Sequence, residues 1–67
     1  MRALPFGRPH MRFRVTALRR LRSGETQEEF GVVLALNARN AINRAKQQHS
    51  ARVKRLGRMR WSAVVVS

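Results

Sequence analysis

The sequence predicts a small α+β domain of order β-β-α-β, a three-stranded sheet with one helix packed on one face. Three observations carry that expectation. Apolar and polar residues alternate with period two near 12–17, 30–36 and 59–66; between the last two runs, apolar residues recur at three- and four-residue steps; and the chain has 67 residues and no cysteine. Period two places successive side chains on opposite faces of a strand, while steps of three and four keep a stripe on one side of a helix. A chain of this size makes one domain and hides only about 60% of the surface its unfolded form exposes. With no disulfide or thiolate metal site it must pack well, pair with a copy of itself, or order on a partner.

Residues 1–11 hold both prolines, Gly7 and His10 without periodicity, so a flexible basic arm is expected there, followed by a single basic domain over 12–67. In the first strand, Phe13, Val15 and Ala17 alternate with Arg12, Arg14 and Thr16. The run Arg19-Arg20-Leu21-Arg22 is too charged to bury and leads into Ser23-Gly24, so residues 19–27 read as a hairpin loop. Phe30, Val32, Leu34 and Leu36 then supply one face of a second strand, interleaved with Gly31, Val33 and Ala35.

Asn37 reads as a helix N-cap, its side-chain oxygen available to a first-turn amide. Ala38, Ala41, Ile42, Ala45, His49, Val53 and Leu56 form the apolar stripe of one helix, frayed beyond His49 and stopped by Gly57. His49 on that stripe reads as a packing residue rather than a ligand. Met59, Trp61, Ala63 and Val65 alternate with Arg60, Ser62, Val64 and Val66 as the last strand. The expected core is therefore Phe13, Val15, Phe30, Val32, Leu34, Ile42, Ala45, Trp61, Ala63 and Val65.

Fifteen Lys and Arg against three Glu and no Asp give a formal charge of +12, and 13 of the 15 cations are Arg. Arg binds phosphate through a planar fork and stacks on bases, where Lys acts as a point charge. The three acids lie together at Glu25, Glu28 and Glu29, leaving no acid between residues 30 and 67. A solvated surface normally mixes both signs, so the imbalance points to a polyanion. Hydrophobic residues make up 43% of the chain, more than a disordered basic tail carries.

Two surfaces are candidates for that contact. One is the sheet face away from the helix, where Arg12, Arg14 and Arg60 project beside Thr16, Ser62, Val33, Val64 and Val66. Faces that bind single strands add exposed aromatics for stacking, but Phe13, Phe30 and Trp61 all fall on the core side. The other surface is the helix and the turn after it, with Arg39, Asn43, Arg44, Lys46, Arg52, Lys54, Arg55 and Arg58, interspersed with Asn40, Gln47 and Gln48. Guanidinium and amide groups are those that read guanine and adenine edges in a major groove.

Catalysis is not expected: no Asp is present, the Glu residues cluster, His10 and His49 are isolated, and no metal-ligand spacing or phosphate-cradling glycine loop occurs. The function that follows is a regulatory or accessory nucleic-acid-binding protein, DNA or RNA, that needs no cofactor and contacts phosphates through arginine. A second reading keeps the fold and makes the chain a small adaptor or inhibitor docking on an acidic protein, as phages and mobile elements encode. Either accommodates a homodimer through the last strand. Membrane-surface binding is disfavoured because the helix stripe is largely Ala without Trp or Phe. No apolar run has the length of a signal or spanning segment, so the expected compartment is cytoplasmic.

One stretch suggests a different fold. Thr26-Gln27-Glu28-Glu29-Phe30-Gly31, followed by Leu34-Ala35-Leu36 and Asn37, resembles the opening of the helix-turn-helix in phage repressors, and Ala41-Ile42-Asn43-Arg44-Ala45 resembles the recognition helix of a Cro-type repressor. The recognition pattern comes later in the chain than Gly31 and Leu34 require. The resemblance implies, as the alternative, an all-α helix-turn-helix with a C-terminal strand and a transcriptional repressor. The β-branched pair Val32-Val33 favours the strand.

Overall fold

A computed structural model describes residues 10–66. The strands are β1 (Met11–Leu21), β2 (Gly24–Ala35) and β3 (Arg60–Val65), and two helical segments, α1 (Ala38–Gln48) and α2 (Ser50–Leu56), lie between β2 and β3. The sheet is antiparallel throughout in the order β2-β1-β3, with the first strand at its centre. The α+β class and the β-β-α-β order are those the sequence patterns require. The helix-turn-helix alternative fails because residues 24–35 form a strand. Of the arm over 1–11, residues 1–9 lie outside the described residues and Met11 already belongs to β1, paired with Ala35.

The alternation of β1 sends Phe13, Val15 and Ala17 to the helix side, where all three are buried. α1 packs over all three strands through Ala41 and Ala45, both fully buried. Alanine there lets the helix backbone approach the sheet closely. Ile42, Val53, Leu56, Met59, Trp61 and Ala63 close the margins of this core. Trp61 stacks at a tilt on Phe30 with ring centroids 4.8 Å apart, and His49 meets Phe30 edge-on at 5.4 Å, so His49 serves packing.

The expected phase of β2 holds only as far as Phe30. Arg14 pairs with Val32 but Thr16 pairs with Glu29, so two residues of β2, Phe30 and Gly31, stand opposite Val15. The extra residue of this bulge reverses which side chains face the helix. Gly31 takes a φ of 85° there, a conformation open to glycine at little cost. As a result Val33 and Ala35 are buried, whereas Val32 and Leu34 are 49% and 54% exposed. Val32 and Leu34 therefore leave the expected core, and Val33 leaves the expected open face. Val65 also leaves the core, at 51% exposure, because β3 is an edge strand with β1 on one side only.

The hairpin turn is tighter than a 19–27 loop. Leu21 pairs with Gly24 and only Arg22 and Ser23 lie between them. The β1–β3 ladder stops at Leu18 and Arg60, so the hairpin beyond it is, among the described residues, a two-stranded ribbon with no strand beside it. Charge does not oppose a strand that buries little, and Arg20 sits directly opposite Glu25, a cross-strand pairing of opposite sign.

Asn37 caps α1 as expected: its Oδ1 accepts from the Asn40 amide at 2.8 Å, and Asn40 Oδ1 accepts from the Leu36 amide at 3.2 Å. The helix breaks at His49, whose φ of −120° and ψ of 36° separate α1 from α2. Hydrogen bonds from the His49 amide to Ala45 O and from the Val53 amide to His49 O span the break. Gly57, at φ 82°, ends α2.

Candidate nucleic-acid interface

The cations anticipated as a binding surface fall on opposite sides of the sheet. Directly paired residues share a face, so Arg12 stands in a row with Leu34, Arg14 between Val32 and Val64, and Arg60 beside Leu18, all on the side away from the helix. Arg39, Asn43, Arg44 and Lys46 lie on α1, Lys54 and Arg55 on α2, and Arg58 on the connection to β3; all of these are exposed.

Two of the helix cations already have partners within the fold. Arg52 Nη2 meets Glu28 Oε1 at 3.0 Å, Arg52 Nη1 donates to the Glu29 carbonyl at 2.8 Å, and the guanidinium lies 4.2 Å from the Phe30 ring centroid. Its work is to fasten α2 to β2, and its charge is offset locally. Lys46 Nζ sits 5.3 Å from the centre of the Trp61 ring, a weaker cation–π contact whose ammonium stays exposed.

Glu28 explains both the acidic cluster and the freedom of the remaining cations. It points to the helix side beside Ala17, where its carboxylate takes Arg52 on one oxygen and approaches Arg19 Nε at 3.5 Å on the other. The acids do not form a solvated loop at the hairpin end. They lie along β2, with Glu25 and Glu29 on the open face and Glu28 drawn inward. Among the described residues no ion pair engages Arg12, Arg14, Arg39, Arg44, Lys54, Arg55, Arg58 or Arg60.

On α1 a shallow depression is lined by Asn40, Asn43, Arg44, Gln47 and Gln48. These residues offer amide donors and acceptors beside one guanidinium. Asn40 is partly occupied by its cap bonds, which leaves Asn43, Gln47 and Gln48 for an outside ligand. A second, wider hollow joins Leu18, Arg20, Glu25, Arg58, Met59 and Arg60 at the end of the β1–β3 ladder. Arg20 was not foreseen there. The period-two series Arg12, Arg14, Thr16, Leu18, Arg20 carries the signal, but it is legible only if β1 continues past residue 18.

Compared with protein-family models, with curated proteins and with solved structures, the chain matches none. What it does must therefore be argued from its own surfaces. Among the described residues no cluster of three His, Cys, Asp or Glu side chains is placed to hold a metal ion, and no helix is long and apolar enough to cross a membrane.

Proposed function

We propose that the chain is a regulatory or accessory nucleic-acid-binding protein that contacts phosphates through the arginine-bearing surface of α1 and α2. The observation that carries this reading is the exposed set Arg39, Arg44, Lys54 and Arg55 on helices without a carboxylate, while Glu28, the acid that reaches α2, is committed to Arg52. Unpaired guanidiniums over a low-acid surface attract a polyanion and can grip its phosphates through two bonds at once. Asn43 and Gln47 beside Arg44 add groups suited to base edges. The cytoplasm is the compartment this reading assigns.

A second reading is favoured by the opposite face. Arg12 and Arg14 stand among Val32, Leu34 and Val64, the last 62% exposed. Valine and leucine do not suit a hydrated phosphate backbone, and among the described residues no exposed aromatic is present for stacking. An acidic protein surface with apolar side chains satisfies both groups, as an adaptor would require.

Salt-dependent binding to a mixed-sequence DNA duplex separates the two. Contacts to six to eight phosphates make log affinity fall against log salt with a slope of roughly −5 to −7. Changing Arg39 and Arg44 together to Ala should weaken binding and flatten the slope by about 2, since each phosphate contact contributes about 0.9. The Arg12→Ala, Arg14→Ala pair should leave the slope nearly unchanged. The reverse pattern moves the interface to the sheet, and no retention of either DNA or RNA at low salt defeats the nucleic-acid reading.

A further inference from the structure

The two edges of the sheet are built differently. Along β2 the outer edge is interrupted by the bulge at Gly31, carries Glu25 and Glu29, and has the Glu29 carbonyl occupied by Arg52. Bulges and charges are what keep an edge strand from pairing with another chain. β3 is less protected: Arg60 at its start is its one charge, and from Trp61 to Val66 the chain reads Trp-Ser-Ala-Val-Val-Val, without charge, proline or glycine. Val64 and Val65 are 62% and 51% exposed, on opposite faces of this strand.

The ladder shows which backbone groups the edge presents. The Val66 amide donates to Arg12 O at 2.8 Å, so it points at β1. In an antiparallel ladder this direction alternates: Ser62, Val64 and Val66 turn their amides inward, and Trp61, Ala63 and Val65 turn theirs outward. An outward set at 61, 63 and 65 is centred on Ala63 and is therefore self-complementary. A second strand related by a two-fold axis at Ala63 places Trp61 opposite Val65 of the second copy and Ala63 opposite Ala63. Ser62 then meets Val64, and Arg60 meets Val66, so no like charges are opposed.

We infer that β3 pairs antiparallel with β3 of a second copy of this chain about Ala63, joining two three-stranded sheets into one of six. The axis stands perpendicular to the sheet, so both α1 helices lie on the same side. The association rests on backbone pairing and the exposed valines, independently of what the helices bind. The charge of +12 on each copy opposes it, so the dimer strengthens with salt as the Debye length shrinks from about 10 Å at 0.1 M to about 3 Å at 1 M. Binding to nucleic acid changes in the opposite direction.

The test is light-scattering mass across protein and salt concentration on the full chain freed of nucleic acid. The expected mass is twice the 7.7 kDa of one chain, with the dimer fraction rising with salt. Val65→Pro removes an outward amide and no bond to β1, as edge positions tolerate; it should weaken dimerisation at least tenfold while the circular dichroism stays native. Val64→Pro removes an inward bond and should cost the fold. Amide hydrogen exchange in the wild-type chain decides the matter if Val65→Pro does not fold: the Trp61, Ala63 and Val65 amides should be protected in proportion to the dimer. A monomer at millimolar concentration in 1 M salt, or a dimer in which those amides exchange as open ones, overturns the inference.

Discussion

On the helix side of the sheet, Phe13, Val15 and Ala17 are sealed beneath Ala41 and Ala45; one residue away along the same strand, Arg12, Arg14 and Thr16 face outward beside half-exposed valines. Apolar side chains occur on both faces, so hydrophobicity alone does not distinguish them. What distinguishes them is whether an element covers the face, and among the described residues the helical layer covers one. Val32, Leu34 and Val64 therefore contribute little to folding and remain available to a partner, whereas Val33 and Phe30, neighbours in sequence, hold the domain together.

The sharpest way to break that comparison is Phe30→Ala. Its ring contacts Trp61, His49 and the Arg52 guanidinium, and its loss should cost about 3–5 kcal/mol, a large part of the stability of so small a domain. Urea denaturation reads this directly. Val33→Ala on the covered face should cost about 2 kcal/mol, while Val32→Ala on the open face should stay within about 0.5 kcal/mol. Equal effects at 32 and 33 would remove the bulge from the account. Gly31→Ala should destabilise by about 1–2 kcal/mol, entirely through its positive φ, since a Cβ there meets no atom within 4 Å. Glu28→Gln should cost about 1 kcal/mol and should raise amide exchange in α2, which Arg52 fastens to Glu28.

Much of the fold was readable before the structure because its signals are local. Period two in Phe13, Val15 and Ala17, the Asn37 cap and the alanine-rich stripe each depend on a few neighbouring residues. The local patterns mislead where a distant segment decides. Continuing the phase of Phe30 puts Val32 and Leu34 in the core, and only pairing with β1 reveals the extra residue at the bulge. Residues 19–27 read as a loop because their charge forbids burial, and the ribbon they form buries little. Arg52 reads in sequence as one more binding cation, but Glu28, 24 residues away, partners it. His49 lies on the apolar stripe, and beyond it the chain forms a second helical segment, α2, rather than fraying, because Arg52 ties it to Glu28 and the Glu29 carbonyl.

By itself the sequence determined the kinds of element and their order, the cap at Asn37 and the excess of arginine, because backbone sterics, side-chain periodicity and formal charge are properties of adjacent residues. Only the tertiary structure decided which face each β2 side chain occupies, which cations are spent inside the fold, and which strands stand at the edges of the sheet. Those follow from register and long-range pairing. A one-residue bulge inverts every side chain beyond it, and one carboxylate drawn inward leaves the helix surface to its arginines.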